Sequence, residues 1–438
     1  MELRRNFIWM LGSKTIFMSA GFVTAAMINR SLGPSGRGIY AEMQTWVGLF
    51  AVLFGMSLDT AIYYFANRSL YGTDDRSRLM TTFSLSLIYG LFATAALTIF
   101  VLGWPEQVSS ETFKFLLLLD VLLIATVLTG NLIIFLQAMG DIRYSAVIGV
   151  VQGMANVLVV GYAYWVDSLD IKIVLISVLI IQGITFLMLL AKFRRNNLLT
   201  GRFSKNLAKG MITAGFKQHI ATIATFVYTK INLLIVFKYC GESNAGMFAV
   251  ALSAAFYLMF VPMTFQTVLY PRVIHSTDDY EITVRSLRWG FYGWGVIVSF
   301  IILFAKPLLL LYAGSSFLPS VNNFRILMVA AWFLPLSSIL APYYIKAGAF
   351  GLASISAVLL GIISMGLNIV LVPRYADIGA SLATALTCVI GFCGVLIFLW
   401  HLSKKNPLVI FNPNFKKEFL SIKLGFVKVS HEEKNRVF

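Results

Sequence analysis

The sequence has 438 residues, of which 58% are hydrophobic and only 12% are charged, and its formal net charge is +16 at pH 7. A soluble domain carries about twice that charged fraction, so the composition excludes an ordinary globular protein and indicates a polytopic membrane protein. Basic loops next to the membrane explain the positive charge, and we therefore expect no nucleic-acid partner.

Taken in chain order, long apolar runs predict twelve transmembrane helices, each near the roughly 20 residues that cross a bilayer. A basic segment at residues 192–210 separates the first six helices from the last six. We therefore predict a first bundle at 1–191, a linker at 192–210, a second bundle at 211–402 and a basic tail at 403–438. The predicted helices are 7–29, 39–66, 80–104, 114–137, 144–166, 173–191, 211–237, 244–270, 289–312, 322–345, 350–373 and 378–402.

An internal repeat relates the two predicted bundles. The turn Gly33–Ala41 aligns without gaps on Gly241–Ala249, with two glycines, a serine, an aromatic residue and an alanine in register. Any short loop between apolar helices tends to be rich in glycine, which is the simpler explanation. A duplication spanning six helices, an even number, predicts two bundles related by a pseudo-twofold axis along the membrane normal, with substrate between them near the midplane.

The distribution of Lys and Arg predicts the orientation. With the N-terminus inside, 24 of the 35 basic residues fall in cytoplasmic segments and 7 in outer loops. Cytoplasmic loops of membrane proteins are enriched in basic residues. We therefore expect both termini in the cytoplasm.

Known catalytic signatures are absent from the sequence. It has no phosphate-binding loop of the ATPase type, no zinc-protease helix motif and no nucleophile elbow. Its three cysteines, Cys240, Cys388 and Cys393, have no metal-ligand spacing. We expect a protein that is not an enzyme and that carries no cofactor and no metal.

Two opposite charges are predicted near the inner ends of helices 1 and 2. Lys14 and Asp59 both lie about 7 residues into their helices, roughly 10 Å deep at 1.5 Å per residue. A charge at bilayer depth is costly and marks a candidate site. We expect the two to face each other and to bind a substrate phosphate; snorkelling of the lysine or a structural ion pair are the alternatives.

Helix 7 carries the next candidates. Lys230 lies one position from a polar stripe formed by Thr222, Thr225, Thr229 and Asn232. We interpret the stripe and the lysine as a cavity lining, with ordinary helix packing as the alternative. Lys217 opens the same helix beside the linker, where it belongs either to the site or to a solvated helix end.

Three further residues complete the predicted substrate site. Arg325 opens helix 10, as an interfacial anchor or as a cavity residue. Gln152 and Asn156 share one face of helix 5, which suits either a helix contact or a sugar-binding surface. Cationic groups outnumber acids within the helices, which favours an anionic substrate.

A family resemblance rests on three stretches of the sequence. Leu32–Ala41, Tyr228–Ala251 and Val268–Val273 resemble the polysaccharide exporter branch of the multidrug/oligosaccharidyl-lipid/polysaccharide exporter superfamily, most of all the Wzx-type O-antigen flippases. Similar proteins often have Arg or Lys followed two positions later by Asp in helix 7; here the positions hold Lys230 and Asn232, so the acid is missing.

The resemblance implies the two-bundle fold seen in MATE transporters. It also implies a flippase that moves an undecaprenyl-pyrophosphate-linked oligosaccharide from the cytoplasmic to the periplasmic leaflet of a bacterial inner membrane. The implied partners are that lipid-linked substrate, membrane lipid, and the polymerase and chain-length machinery of polysaccharide synthesis.

Two other functions stay open at this point. A multidrug or small-molecule antiporter would share the fold, but a carrier of cationic drugs should line its cavity with acids and aromatic rings. A lipid-linked sugar polymerase or ligase should carry its reacting groups on a long outer loop, and the outer loops here are short.

Overall fold

The computed structural model describes residues 2–66, 74–275, 278–347 and 350–412, and their regular secondary structure is entirely helical. The predicted all-α class is confirmed. Short 3-10 turns lie at Pro105–Gln107, Ser315–Ser320 and Pro407–Phe411, and a π-helical stretch at Gly290–Trp294. The α-helices are α1 Glu2–Phe54, α2 Leu58–Ala66, α3 Asp75–Gly103, α4 Ser110–Lys114, α5 Leu116–Ala138, α6 Ile142–Trp165, α7 Ile171–Arg195, α8 Lys205–His275, α9 Asp279–Trp289, α10 Gly295–Leu303, α11 Ala305–Ala313, α12 Val321–Ile339, α13 Ala341–Lys346 and α14 Phe350–Ser403.

Three of these helices each contain two arms separated by a single non-helical residue. The breaks are at Gly33 (φ 63°), Gly241 (φ 81°) and Ala376 (φ 51°). Glycine adopts positive φ without steric cost, and Pro34 then starts the second arm of α1, where its missing N–H is not needed. The loops predicted around residues 30–38 and 238–243 are therefore wrong in length: each is a single-residue turn.

Counting arms separately gives twelve membrane segments. In the described residues, nine apolar helices are long enough to cross a bilayer if the bent pair α1–α2 is taken as one. The stretches Lys205–Met263, of 59 residues, and Ser354–Ser403, of 50 residues, are each long enough for two crossings, and so is Gly12–Phe54 with α2. The twelve-helix prediction is thereby confirmed, although the predicted ninth helix starts ten residues early, at Asp279, and is divided among α9, α10 and α11.

Two lobes follow from this order: α1 to α7 form the first, and α8 to α14 the second. Each lobe has its own buried apolar clusters, around Leu97 and Leu123 in the first and around Phe248 and Phe324 in the second. We call the end that holds the Gly33 and Gly241 turns the turn end. The opposite end, where α7 leads into α8, is the terminal end.

Part of the predicted tail is packed against the second lobe. Ile410 is fully buried, and the carbonyl oxygen of Val409 accepts a hydrogen bond of 2.7 Å from Arg288 Nη2. Residues 413–438 lie outside the described part of the chain. The beginning of the tail therefore belongs to the folded second lobe.

Candidate functional site

A cavity of about 550 Å³ lies between the two lobes. The two arms of α1 line one side and the two arms of α8 line the other. Among the described residues that line it there are two cationic side chains and no carboxylate. The lining consists of Met18, Arg37, Ala41, Gln44, Thr45, Gly48, Phe226, Lys230, Leu233, Ala249, Leu252, Ser253, Phe256, Tyr257 and Met263.

The lining follows the internal repeat of the sequence. Residues at equivalent positions of the two copies face the same cavity from opposite lobes. This arrangement is what a pseudo-twofold axis through the cavity produces, and both cations are among the five lining residues that have no equivalent in the lining. The equivalent pairs are Met18 with Phe226, Ala41 with Ala249, Gln44 with Leu252, Thr45 with Ser253, and Gly48 with Phe256.

Arg37 is the cation that the sequence analysis missed. It was assigned to an outer loop, but it lies in the first turns of the second arm of α1 and is only 8% exposed. Its Nε donates a hydrogen bond of 2.9 Å to Asn29 Oδ1, and its guanidinium carbon lies 5.4 Å from the centre of the Tyr40 ring. Its Nη1 has no hydrogen-bond partner among the described residues, so the fork retains one donor that is not used within the protein.

Lys230 approaches the same cavity from the second lobe. Its side chain is exposed to the cavity, and Nζ lies 5.0 Å from the centre of the Phe256 ring. The ring face attracts the ammonium group without neutralising it. This contact leaves the N–H groups of Lys230 free to bind a ligand.

The carboxylate nearest in sequence to Arg37 is committed elsewhere. Glu42 is completely buried inside the first lobe. Its two oxygens accept hydrogen bonds from Trp46 Nε1 (2.8 Å), Ser109 Oγ (2.7 Å) and Thr112 Oγ1 (2.6 Å). Glu42 thus stabilises the first lobe and does not compensate the cavity charge.

The predicted polar stripe on helix 7 does not line the cavity. Asn232 is 1% exposed and its Nδ2 donates a hydrogen bond of 2.8 Å to Thr384 Oγ1 on α14. The cavity face of this helix is instead formed by Phe226, Lys230 and Leu233. The stripe and the lysine were one position apart in the sequence, which on a helix is a rotation of about 100°.

The other predicted site residues lie outside this cavity. Gln152 Nε2 donates a hydrogen bond of 2.9 Å to Thr185 Oγ1, a contact between α6 and α7. Asn156 is partly buried on the same helix, whereas Lys217 and Arg325 are exposed. Their roles in substrate binding remain predictions.

Lys14 and Asp59 do not form the expected ion pair. Both side chains are exposed, and no ion pair joins them in the described residues. Lys14 shares a helical face with Gly21, which packs against the Tyr257 ring at the cavity. Asp59 lies in a separate niche between α2 and α5. The break between α1 and α2 turns the acid away from the first arm of α1.

The turn end of the cavity is closed by the two repeated turns. A Cβ added at Gly38 would overlap the carbonyl oxygen of Glu242, and one added at Gly246 would overlap that of Pro34. The two contacts are equivalent under the repeat. Small residues allow helix backbones to approach this closely, so the two lobes meet backbone to backbone.

Two polar contacts join the lobes at the same end. Arg30 Nη2 donates a hydrogen bond of 2.7 Å to the carbonyl oxygen of Leu311. Lys238 Nζ donates one of 2.8 Å to Gln107 Oε1. The turn end is therefore shut in this conformation.

Comparison with known proteins gives one family match. The family model described as polysaccharide biosynthesis protein matches residues 3–277. Comparison with curated protein sequences gives no significant match.

Solved structures with a similar fold are transporters. The lipid II flippase MurJ in an inward closed conformation has a TM-score of 0.66 at 15% identity and covers 92% of each chain. A MATE transporter of Vibrio cholerae has a TM-score of 0.64 at 15% identity, over 92% of this chain and 97% of that one. A superfamily transporter of Pyrococcus furiosus, described as having a binding pocket of reverse polarity, has a TM-score of 0.60 at 16% identity, over 91% and 96%.

Proposed function

The chain belongs to the polysaccharide biosynthesis protein family, and from this premise we propose that it is a flippase for a lipid-linked oligosaccharide. Its substrate is an undecaprenyl-pyrophosphate-linked repeat unit of an O-antigen or a related polysaccharide. The single observation that carries the proposal is the cavity between the lobes, which holds Arg37 and Lys230 and no described carboxylate.

The two cations suit a pyrophosphate. A guanidinium fork binds phosphate oxygens through paired hydrogen bonds, and a lysine adds a compact charge. Arg37 still has a free donor, and Lys230 projects from the opposite lobe. A pyrophosphate between them would contact both lobes at once, as alternating access about a central site requires.

The cavity size limits which part of the substrate it holds. Its volume of about 550 Å³ is that of an ordinary small-molecule pocket. It can enclose a pyrophosphate and the first sugars, while the isoprenoid chain stays in the surrounding lipid. A polymerase and chain-length machinery would then receive the translocated unit.

The antiporter of the same fold is the second candidate. The structural similarity to MATE transporters supports it, but only at the level of fold. A cavity for organic cations should present acids to its ligand, whereas this one presents two cations.

Removing a cavity cation should greatly reduce flipping. Each charge-assisted hydrogen bond is worth about 1.5–3 kcal/mol, so Lys230→Met should lower the transport of a labelled lipid-pyrophosphate oligosaccharide in liposomes by about tenfold or more. Arg37→Lys keeps a positive charge but loses the paired donors of the guanidinium, and we expect a smaller reduction in flipping than for Lys230→Met. Lys306→Met, an exposed lysine on α11 outside the cavity lining, is the control.

Unchanged transport in these variants would contradict the proposal. If Lys230→Met and Arg37→Lys, both folded and inserted, flip substrate at the unsubstituted rate, the pyrophosphate site is not in this cavity. If Lys230→Met instead gains transport of organic cations, the antiporter proposal replaces the flippase.

Orientation has a separate test. Both termini should lie on the cytoplasmic side of the inner membrane. This orientation places the 192–210 linker on the cytoplasmic side and the turn end on the periplasmic side. In a background without the three native cysteines, Thr200→Cys should react with an impermeant maleimide only after the cytoplasmic face is opened. Labelling of this cysteine in intact spheroplasts would show that the linker faces the periplasm and that the proposed orientation is wrong.

A further inference from the structure

A second large cavity, of about 540 Å³, lies inside the second lobe. It is lined by the first arm of α8, by α12 and α13, and by both arms of α14. None of the described residues that line it is charged, which distinguishes it from the cavity between the lobes. Most of its wall is aliphatic or aromatic, as at Leu334, Leu360, Ile363, Val395 and Phe398.

The hydroxyl groups in this wall are largely committed to the protein backbone. Thr387 Oγ1 donates a hydrogen bond of 2.7 Å to the carbonyl oxygen of Ala383. Tyr344 Oη donates one of 2.8 Å to the carbonyl oxygen of Val395, and Ser337 Oγ donates one of 3.3 Å within its own helix. A hydroxyl has only one proton to donate. The wall therefore offers few donors and no charge, which suits hydrocarbon better than a sugar or an ion.

The cavity is elongated along the helices that enclose it. On α8 it extends from Gln218 to Tyr228, and on the first arm of α14 it extends from Ser354 to Ile363. At 1.5 Å per residue, each of these stretches is about 15 Å long. The hydrocarbon core of a bilayer is about 30 Å thick. The cavity therefore has the depth of a single leaflet, and its polar residues Gln218 and Ser354 lie toward the terminal end.

The cavity is accessible from the side of the lobe. Leu359 and Ile390 lie on the two arms of α14, line the cavity, and are 50% and 41% exposed. Both belong to apolar membrane segments, so lipid surrounds this side of the protein. A hydrocarbon chain can enter here without passing through water.

We propose that this cavity binds one acyl chain of a phospholipid from the leaflet at the terminal end. Protein interiors contain few voids larger than a water molecule, and an apolar cavity stays dry and takes up apolar ligands. The bilayer supplies such chains at high concentration. The uncharged wall, the depth of one leaflet and the lateral access all match this occupant.

The isoprenoid chain of the proposed substrate is a less suitable occupant. Tyr228 borders this cavity, whereas Lys230 borders the one between the lobes. Two positions on a helix are about 160° apart around its axis, so α8 separates the two cavities. A substrate held at Lys230 would therefore keep its chain on the other side of α8, while the bound phospholipid supports this helix from behind.

Photolabelling can map the occupant directly. The purified full-length protein is placed in nanodiscs that contain phosphatidylethanolamine with a diazirine in the middle of one acyl chain. After irradiation, mass spectrometry assigns the labelled residues. We expect adducts on Thr387, which is 1% exposed and faces the cavity, as well as on Phe300, which is 61% exposed on α10. Adducts on Phe300 without any on Thr387 would overturn the proposal.

Two glycine variants provide a matched pair. Gly394 lines the cavity and a Cβ there would meet no atom within 4 Å, so Gly394→Leu places its side chain in the free volume. It should abolish labelling of Thr387 and retain labelling of Phe300. Gly183 on α7 has equal space but lies outside the lining, and Gly183→Leu should retain both adducts. Undiminished labelling of Thr387 in Gly394→Leu would contradict the proposal.

A second probe separates the two sources of hydrocarbon. A lipid-pyrophosphate oligosaccharide with a diazirine in its isoprenoid chain should leave Thr387 unlabelled. If this probe labels Thr387 and the phospholipid does not, the cavity holds the substrate chain and the phospholipid site is wrong. None of these measurements requires transport, and labelling of the unsubstituted protein decides the question even if Gly394→Leu fails to fold. Failure of this proposal is therefore distinguishable from failure of the flippase proposal.

Discussion

Gly246→Ala should abolish transport and open the turn end of the cavity. The added methyl group would overlap the carbonyl oxygen of Pro34, and Gly38→Ala would meet that of Glu242 in the same way. The backbone cannot yield locally because both contacts lie in helices that start immediately after the turns. The lobes must therefore separate, which favours a state open at this end.

Accessibility of a cavity cysteine measures that separation. In a background without native cysteines, Thr45→Cys should react slowly with an impermeant maleimide added from the turn end. With Gly246→Ala we expect a rate about tenfold or more higher, since about 1.4 kcal/mol changes a population ratio tenfold.

Gly183→Ala is the matched control, because a Cβ there would meet no atom within 4 Å. It should leave labelling and transport unchanged. If Gly246→Ala transports normally and Thr45→Cys stays protected, close approach of the two turns is not required for closure.

The sequence predicted the fold because repetition and hydropathy act at the scale of whole helices. The register between Gly33–Ala41 and Gly241–Ala249 survives in three dimensions as a pair of equivalent contacts and as equivalent cavity positions. Neither signal depends on the exact ends of a helix, so errors of a few residues at each boundary did not matter.

The cavity charges were harder to predict because they depend on helix rotation and on turn length. Arg37 was assigned to a loop that is a single glycine in the structure. A usable signal existed: the repeat aligns Arg37 with Ala245, which falls inside the predicted helix 244–270. A basic residue aligned with a helical position of the other copy indicates a helical rather than a loop position.

Asn232 and Asp59 show that helical periodicity and depth do not identify the neighbours of a residue. Helical periodicity placed Asn232 on a polar stripe but did not say which neighbour that stripe meets, and it meets Thr384. Equal depth suggested that Asp59 faces Lys14. The break at Met56 and Ser57, which no Pro marks in the sequence, rotates the acid away.

Linking the lobes at the turn end should stop transport completely. Lys238 on α8 and Gln107 in the first lobe already touch across the interface, so cysteines at these positions can be joined by a short bismaleimide. Alternating access requires the lobes to part at this end, and a covalent link of fixed length prevents it. We expect flipping in liposomes to fall to background once cross-linking is complete.

The control for this cross-link lies within one lobe. Glu111 and Lys114 approach to 3.3 Å on α4, and joining cysteines there with the same reagent should leave transport intact. Each single cysteine treated with the reagent should also stay active. A cleavable linker between positions 107 and 238 should restore flipping when it is cut. Transport that persists through a verified cross-link between the lobes would show that substrate crosses without separation at the turn end, and rocking of the lobes would then be the wrong mechanism.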